Sequence, residues 1–61
     1  MQSEILSTPE AADHIHMSED FVRRRLRYEV NVIQYAPRGP LFFRRSDLDM
    51  WIAKHTQSVA R

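Results

Sequence analysis

Apolar residues recur along this chain at helical spacing in three places, and two of them follow an explicit start signal. In Leu6-Ser7-Thr8-Pro9-Glu10, Ser7 as N-cap with Glu10 at the third helical position forms a capping box. Pro9 falls in the first turn, where its missing N–H removes no helical bond. The pattern predicts a first helix from Thr8 to about His14 or Ile15, with Ala11, Ala12 and Ile15 on its inner face and the small alanines admitting a close neighbour. Met17-Ser18-Glu19-Asp20 repeats the signal: Ser18 caps, and two acids occupy the turn where the helix dipole favours them. A second helix is predicted over 19–28, with Val22 and Leu26 on its apolar side and Arg24 nearly opposite, flanked by Arg23 and Arg27. The joint between the two helices has helix-turn-helix length, and His16 is placed to close it in a left-handed conformation.

Beyond the second helix the period changes. Residues 32–36 and 41–44 are β-branched and aromatic runs around Pro37-Arg38-Gly39-Pro40. Pro37 suits the second position of a type I turn and Gly39 the fourth, so a hairpin with Arg38 near its tip is predicted. A third helix starts at Ser46, with Asp49 as a weaker capping box, and carries Leu48, Trp51, Ile52 and His55 on one buried face. Residues 1–5 and 56–61 lack a pattern and are expected to fray. The fold class expected is α+β, mostly α: two helices, a β-hairpin and a third helix, in a single domain over 1–61.

At 61 residues the chain supports one small core and no second domain. It has no cysteine, which excludes a disulfide, a Cys-based zinc site and a thiol nucleophile. Its apolar runs fall far short of the roughly 20 residues that span a bilayer, and Met1 to Leu6 has an acid where a signal peptide has a base. A cytoplasmic protein without membrane association is therefore expected.

The charge distribution says more than the formal net charge of +1. Residues 1–20 hold five acids and no base, whereas 21–45 hold seven arginines against Glu29 alone. Arginine outnumbers lysine eight to one. Its planar fork suits phosphates and guanine edges, so a polyanionic partner, foremost nucleic acid, is indicated. A solvated charged face paired with Glu19, Asp20 or Glu29 is the plain alternative for the arginines of the second helix. What favours nucleic acid is position: they lie on the second helix of a helix-turn-helix pair, followed by a hairpin with Arg38, Arg44 and Arg45.

Other constellations carry less. Asp13, His14, His16 and distant His55 would not converge on a metal, because His14 and His16 point about 200° apart on a helix. Ser46, Asp47 and His55 would make a triad with no pocket to serve it. Tyr35, Phe42, Phe43 and Trp51 could form a base-stacking platform, but a core this small is expected to need them. No catalytic residue, metal, cofactor or small-molecule ligand is expected.

The segments Leu6-Ser7-Thr8-Pro9-Glu10-Ala11-Ala12-Asp13, Met17-Ser18-Glu19-Asp20-Phe21-Val22-Arg23-Arg24-Arg25-Leu26 and Phe43-Arg44-Arg45-Ser46-Asp47-Leu48-Asp49-Met50-Trp51-Ile52 together resemble the small excisionases, recombination directionality factors of the MerR-like winged helix-turn-helix group. His16, and Glu29-Val30-Asn31 after the second helix, stand where that family usually has glycine. The resemblance implies a second helix in the major groove, with Ser18, Arg23, Arg24 and Arg27 facing it. It also implies a wing carrying Arg38 at the backbone or minor groove. The implied function is bending of attachment-site DNA so that an integrase excises a prophage or mobile element, in the cytoplasm of a bacterial host. The implied partners are double-stranded DNA, the integrase, and further copies of the chain head to tail on DNA.

MerR regulators continue into a long dimerisation helix that this sequence lacks, so excisionase is expected ahead of a small transcriptional regulator. A protein-interaction module docking an acidic partner is the expectation from another class. Salt separates them. If about four to six arginines touch phosphates, log K for duplex DNA should fall against log salt with a slope of about −4 to −5. A titration at several salt concentrations that gives a flat line refutes the nucleic-acid reading.

Overall fold

The computed structural model describes residues 4–56. Its elements run β1 (Ile5–Ser7), α1 (Thr8–Ile15), α2 (Glu19–Arg24), a 3₁₀ turn (Leu26–Tyr28), β2 (Phe42–Arg44) and α3 (Arg45–His55). The architecture is α+β and mostly helical, with three α-helices and a two-stranded antiparallel sheet. No helix among the described residues is long and apolar enough to cross a membrane.

The first helix forms as its signals dictate. The Ser7 hydroxyl accepts the Glu10 N–H at 3.4 Å, and the Glu10 carboxylate accepts the Ser7 N–H at 2.8 Å, which completes the capping box. At the other end His16 takes φ 61°, ψ 38°. Its N–H bonds Asp13 O at 3.2 Å and the Met17 N–H bonds Ala12 O at 2.9 Å. These two bonds are a Schellman closure, built on histidine where glycine is the usual residue. Ser18 then caps α2 by accepting the Phe21 N–H at 3.1 Å.

Other expectations are corrected. The second helix stops at Arg24, four residues before the predicted end: Arg25 leaves helical geometry at φ −123° and a 3₁₀ turn follows. In a continued α-helix Arg23 and Arg27 would be like-charged i, i+4 neighbours, and the tighter turn still delivers Leu26 to the core. The third helix starts at Arg45, with Arg44 at the N-cap and no side-chain cap, so Ser46 does not cap it. Strand pairing substitutes for the cap, because Glu4 O accepts the Arg45 N–H at 2.8 Å. The buried face of α3 ends at Ile52, and His55 is exposed, donating from Nδ1 to Trp51 O at 2.9 Å.

The hairpin over 32–36 and 41–44 contracts to one bridge, in which Ile33 and Phe42 exchange two backbone bonds of 2.8 Å. The next hydrogen-bonded rung would pair Tyr35 with Pro40, which has no N–H to give. β2 pairs β1 instead, in the register Ile5↔Arg44, Leu6↔Phe43, Ser7↔Phe42. Ile5, expected to fray, is thus held in the sheet; residues 1–3 and 57–61 lie outside the described residues. At the tip the Gly39 N–H bonds Ala36 O at 2.9 Å and Arg38 has φ 63°, which marks a type II turn where type I was expected.

The core is Ala11, Ala12, Ile15, Val22, Leu26, Leu41, Phe43 and Leu48, with Leu6, Phe21, Val30, Val32, Trp51 and Ile52 packed around it. Phe43 is its largest fully buried side chain. Trp51, expected on the buried face of the third helix, is partly exposed: Phe21 meets it edge-on at 6.0 Å and its Nε1 donates to Glu29 Oε1 at 2.9 Å. Two substitutions separate centre from margin. Phe43→Ala should cost about 3–5 kcal/mol, as much as a core this size supplies, and leave the protein unfolded. Trp51→Ala should cost about 2 kcal/mol and leave a folded protein with a lowered midpoint. Urea titration of both by circular dichroism checks the ranking.

Candidate nucleic-acid interface

With Val22 and Leu26 committed to the core and Phe21 packed at its margin, the charged side chains of α2 and the 3₁₀ turn face outward. Arg23 and Arg27 come to one side, toward the loop that follows Ile33. There they line a groove of ≈ 440 Å³ together with Glu19, Gln34, Arg38 and the start of α1 at Thr8. The far wall is positioned by two bonds. The Thr8 hydroxyl donates to Leu41 O at 2.9 Å, tying the start of α1 to the returning strand. Gln34 Nε2 donates to Gly39 O at 2.9 Å and braces the turn that presents Arg38.

Three of the predicted site residues, Arg23, Arg27 and Arg38, are therefore brought together although up to fifteen positions separate them in sequence. The others are placed apart from this groove. Ser18 is the N-cap of α2, its oxygen committed to the Phe21 N–H and its own O–H proton free to be donated. Arg24 lies on the far side of α2 against Asp20, Nε to Oδ1 at 3.1 Å, with both side chains mostly in solvent. Arg44 and Arg45 stand at the junction of β2 and α3, beyond the far end of β2 from Leu41. Gln34 and Thr8 were not legible as site residues, since each acts through a backbone carbonyl that folding alone brings near.

The groove's electrostatics are mixed in a defined way. Arg23 Nη1 reaches Glu19 Oε1 at 3.4 Å, an exposed i, i+4 pair of small worth that an incoming phosphate could displace. The Arg27 guanidinium lies 5.3 Å from the centroid of the Tyr28 ring, which orients it without neutralising it. Arg38 has no ion pair among the described residues and projects from the turn tip. The site has no pairing of nucleophile with base. Among the described residues no three His, Cys, Asp or Glu side chains cluster to hold a metal. His14 instead joins α1 to α3 through Asp49, Nε2 to Oδ1 at 2.7 Å.

Comparison with protein-family models, with curated proteins and with solved structures finds no match to this chain.

The left-handed backbone at Arg38 places a charged residue where glycine is favoured, and that separates charge from conformation. Arg38→Gly should raise stability by up to about 1 kcal/mol while weakening duplex binding. Arg38→Lys keeps the strain and the charge and loses only the planar fork, and should leave both nearly unchanged. Thermal denaturation and a fluorescence-anisotropy titration on the same preparations test the separation; equal affinity for wild type and Arg38→Gly shows that Arg38 makes no contact.

Proposed function

We propose that this chain is a duplex-DNA-binding protein of winged helix-turn-helix type, with α2 as the helix offered to the major groove and the turn over 37–40, with Arg38 at its tip, as the wing. The observation that carries this reading is the convergence of Arg23, Arg27 and Arg38, from a helix and a separate turn, on one groove open to solvent. Two positive walls from different elements suit a continuous polyanion, whereas a solvated helix face needs no partner wall. The Schellman closure at His16 and the Ser18 cap support it as well, because they hold α1 and α2 in the short-jointed arrangement of a helix-turn-helix.

Function follows the sequence resemblance: the protein acts as an excisionase, not as an enzyme, and supplies DNA geometry to an integrase that supplies the chemistry. A single module buries only about 600–1,000 Å² of its surface on DNA, too little for high specificity alone. Copies arranged head to tail on adjacent repeats, together with integrase contacts, supply the rest and accumulate a bend. The place of action is the cytoplasm of a bacterial host, on its DNA. A small regulator of the same fold is the competing assignment.

Recombination run in both directions separates the two. Added to integrase and attachment-site DNA, the protein should raise excision and leave integration unassisted. Arg23→Ala with Arg27→Ala should abolish the effect while the circular dichroism spectrum is retained. Unchanged excision with altered output from a nearby promoter would establish the regulator instead. Failure to bind duplex DNA at low salt would remove both.

A further inference from the structure

The outer face of the sheet is a second surface that the arginine groove does not use. Side chains alternate along a strand, so Leu6 and Phe43 share the inner face while Ile5, Ser7, Phe42 and Arg44 share the outer one. Ile33, bridged directly to Phe42, joins them from the other side. Phe42 therefore lies at the middle of three chain segments with its ring turned away from the core, and it is only partly covered. What covers it is Tyr35: the two ring centroids are 5.6 Å apart, with planes inclined at 57°. Tyr35 itself is 75% exposed. Sequence reasoning assigned both rings to the core; they lie outside it, because Phe43, on the opposite face of the same strand, is the ring that β2 turns inward.

A tyrosine held on one side by another ring and open on the other is unexplained by packing. Its chemistry is that of a flat π surface already fixed in orientation. Arg44 lies two residues from Phe42 on the same face, about 7 Å along the strand. It is exposed and has no ion pair among the described residues. Two acids lie beside the sheet: Glu10, whose carboxylate is committed to the Ser7 N–H at 2.8 Å, and Glu4, on the rung beyond Arg44, where alternation directs side chains to the opposite face. The outer face thus combines two aromatic rings, aliphatic Ile5 and Ile33, the small polar Ser7 and one cationic side chain.

We propose that this face is a binding site for unpaired nucleobases, with Tyr35 and Phe42 stacking against a base and Arg44 taking its phosphate. Stacking on aromatic side chains with a cation tracking the backbone is how single strands are held without sequence preference. The cation favours this occupant over an apolar protein surface, for which Arg44 would be a buried, unpaired charge. The site shares no residue with the groove of Arg23, Arg27 and Arg38, so it does not rest on the duplex reading.

The test uses the full chain and two probes, a fluorescently labelled short oligothymidylate and a labelled duplex, each followed by anisotropy. Tyr35→Ala should weaken oligothymidylate binding by about 5- to 100-fold, the worth of one base stack, and leave duplex binding unchanged. Tyr35→Trp should restore it. Arg44→Gln should lower the salt slope on the single strand by about 0.7, the share of one phosphate contact. Tyr35 is exposed, so its variants should keep the wild-type circular dichroism spectrum. Absence of oligothymidylate binding by the wild type, or indifference to Tyr35→Ala, overturns the proposal. So does an equal loss on both probes, which would make this face part of the duplex interface. Single-strand binding with no duplex binding would leave this site standing and remove the function proposed above.

Discussion

Burial of Phe43 is the condition that every other element meets. Two strands of three residues are too short to persist in water by themselves, and helices of six to eleven residues are below the length at which isolated helices are stable. Each is held by the apolar surface it contributes around that ring. Leu6 lies opposite it in the sheet, Ala11 and Ala12 bring α1 close, and Val22, Leu26, Leu41 and Leu48 enclose it. Among the described residues no polar side chain is wholly buried as a residue, so cohesion is almost entirely apolar. The bonds between elements, such as His14 to Asp49 and Trp51 to Glu29, lie at the margin and orient more than they stabilise.

The same packing selects what remains outside. Once Val22 and Leu26 point inward, the arginines between them have no choice but to project, and the break at Arg25 sets the angle between Arg23 and Arg27. Thr8 and Gln34 then fix the opposite wall by bonding carbonyls of the returning segment. A groove preformed in this way loses little freedom when a ligand arrives, which matters for a protein with only a small surface to offer.

Local signals in the sequence were sufficient where the structure is local. The capping box at Ser7 and Glu10, the cap at Ser18 and the left-handed His16 all depend on residues within a few positions of each other, and all are where the pattern puts them. What escaped sequence reasoning depends on distant segments. Nothing near Ile5 announces that it pairs with Arg44, and that pairing in turn removes the need for Ser46 as a cap. The rung blocked by Pro40 was visible as a residue, yet its consequence appears only once the register at Ile33 and Phe42 is known. For the site, arginine count and helix face indicated Arg23 and Arg27. The position of Arg38 across from them, and the separation of Arg24, Arg44 and Arg45, follow from the tertiary fold.

Both strands pass into helices with no intervening residue: Ser7 ends β1 and caps α1, and Arg44 ends β2 at the N-cap position of α3. Alternation in the strand and rotation in the helix are therefore in phase at two junctions. One inserted residue at either would turn the following helix by about 100° relative to the sheet and carry its buried stripe out of the core. The 34–40 loop bears no such phase relation, since its ends meet at one bridge and its tip is one turn braced within the loop by Gln34. A change of length in the segment that carries Tyr35 and Arg38 therefore disturbs the framework less than one at either strand–helix junction.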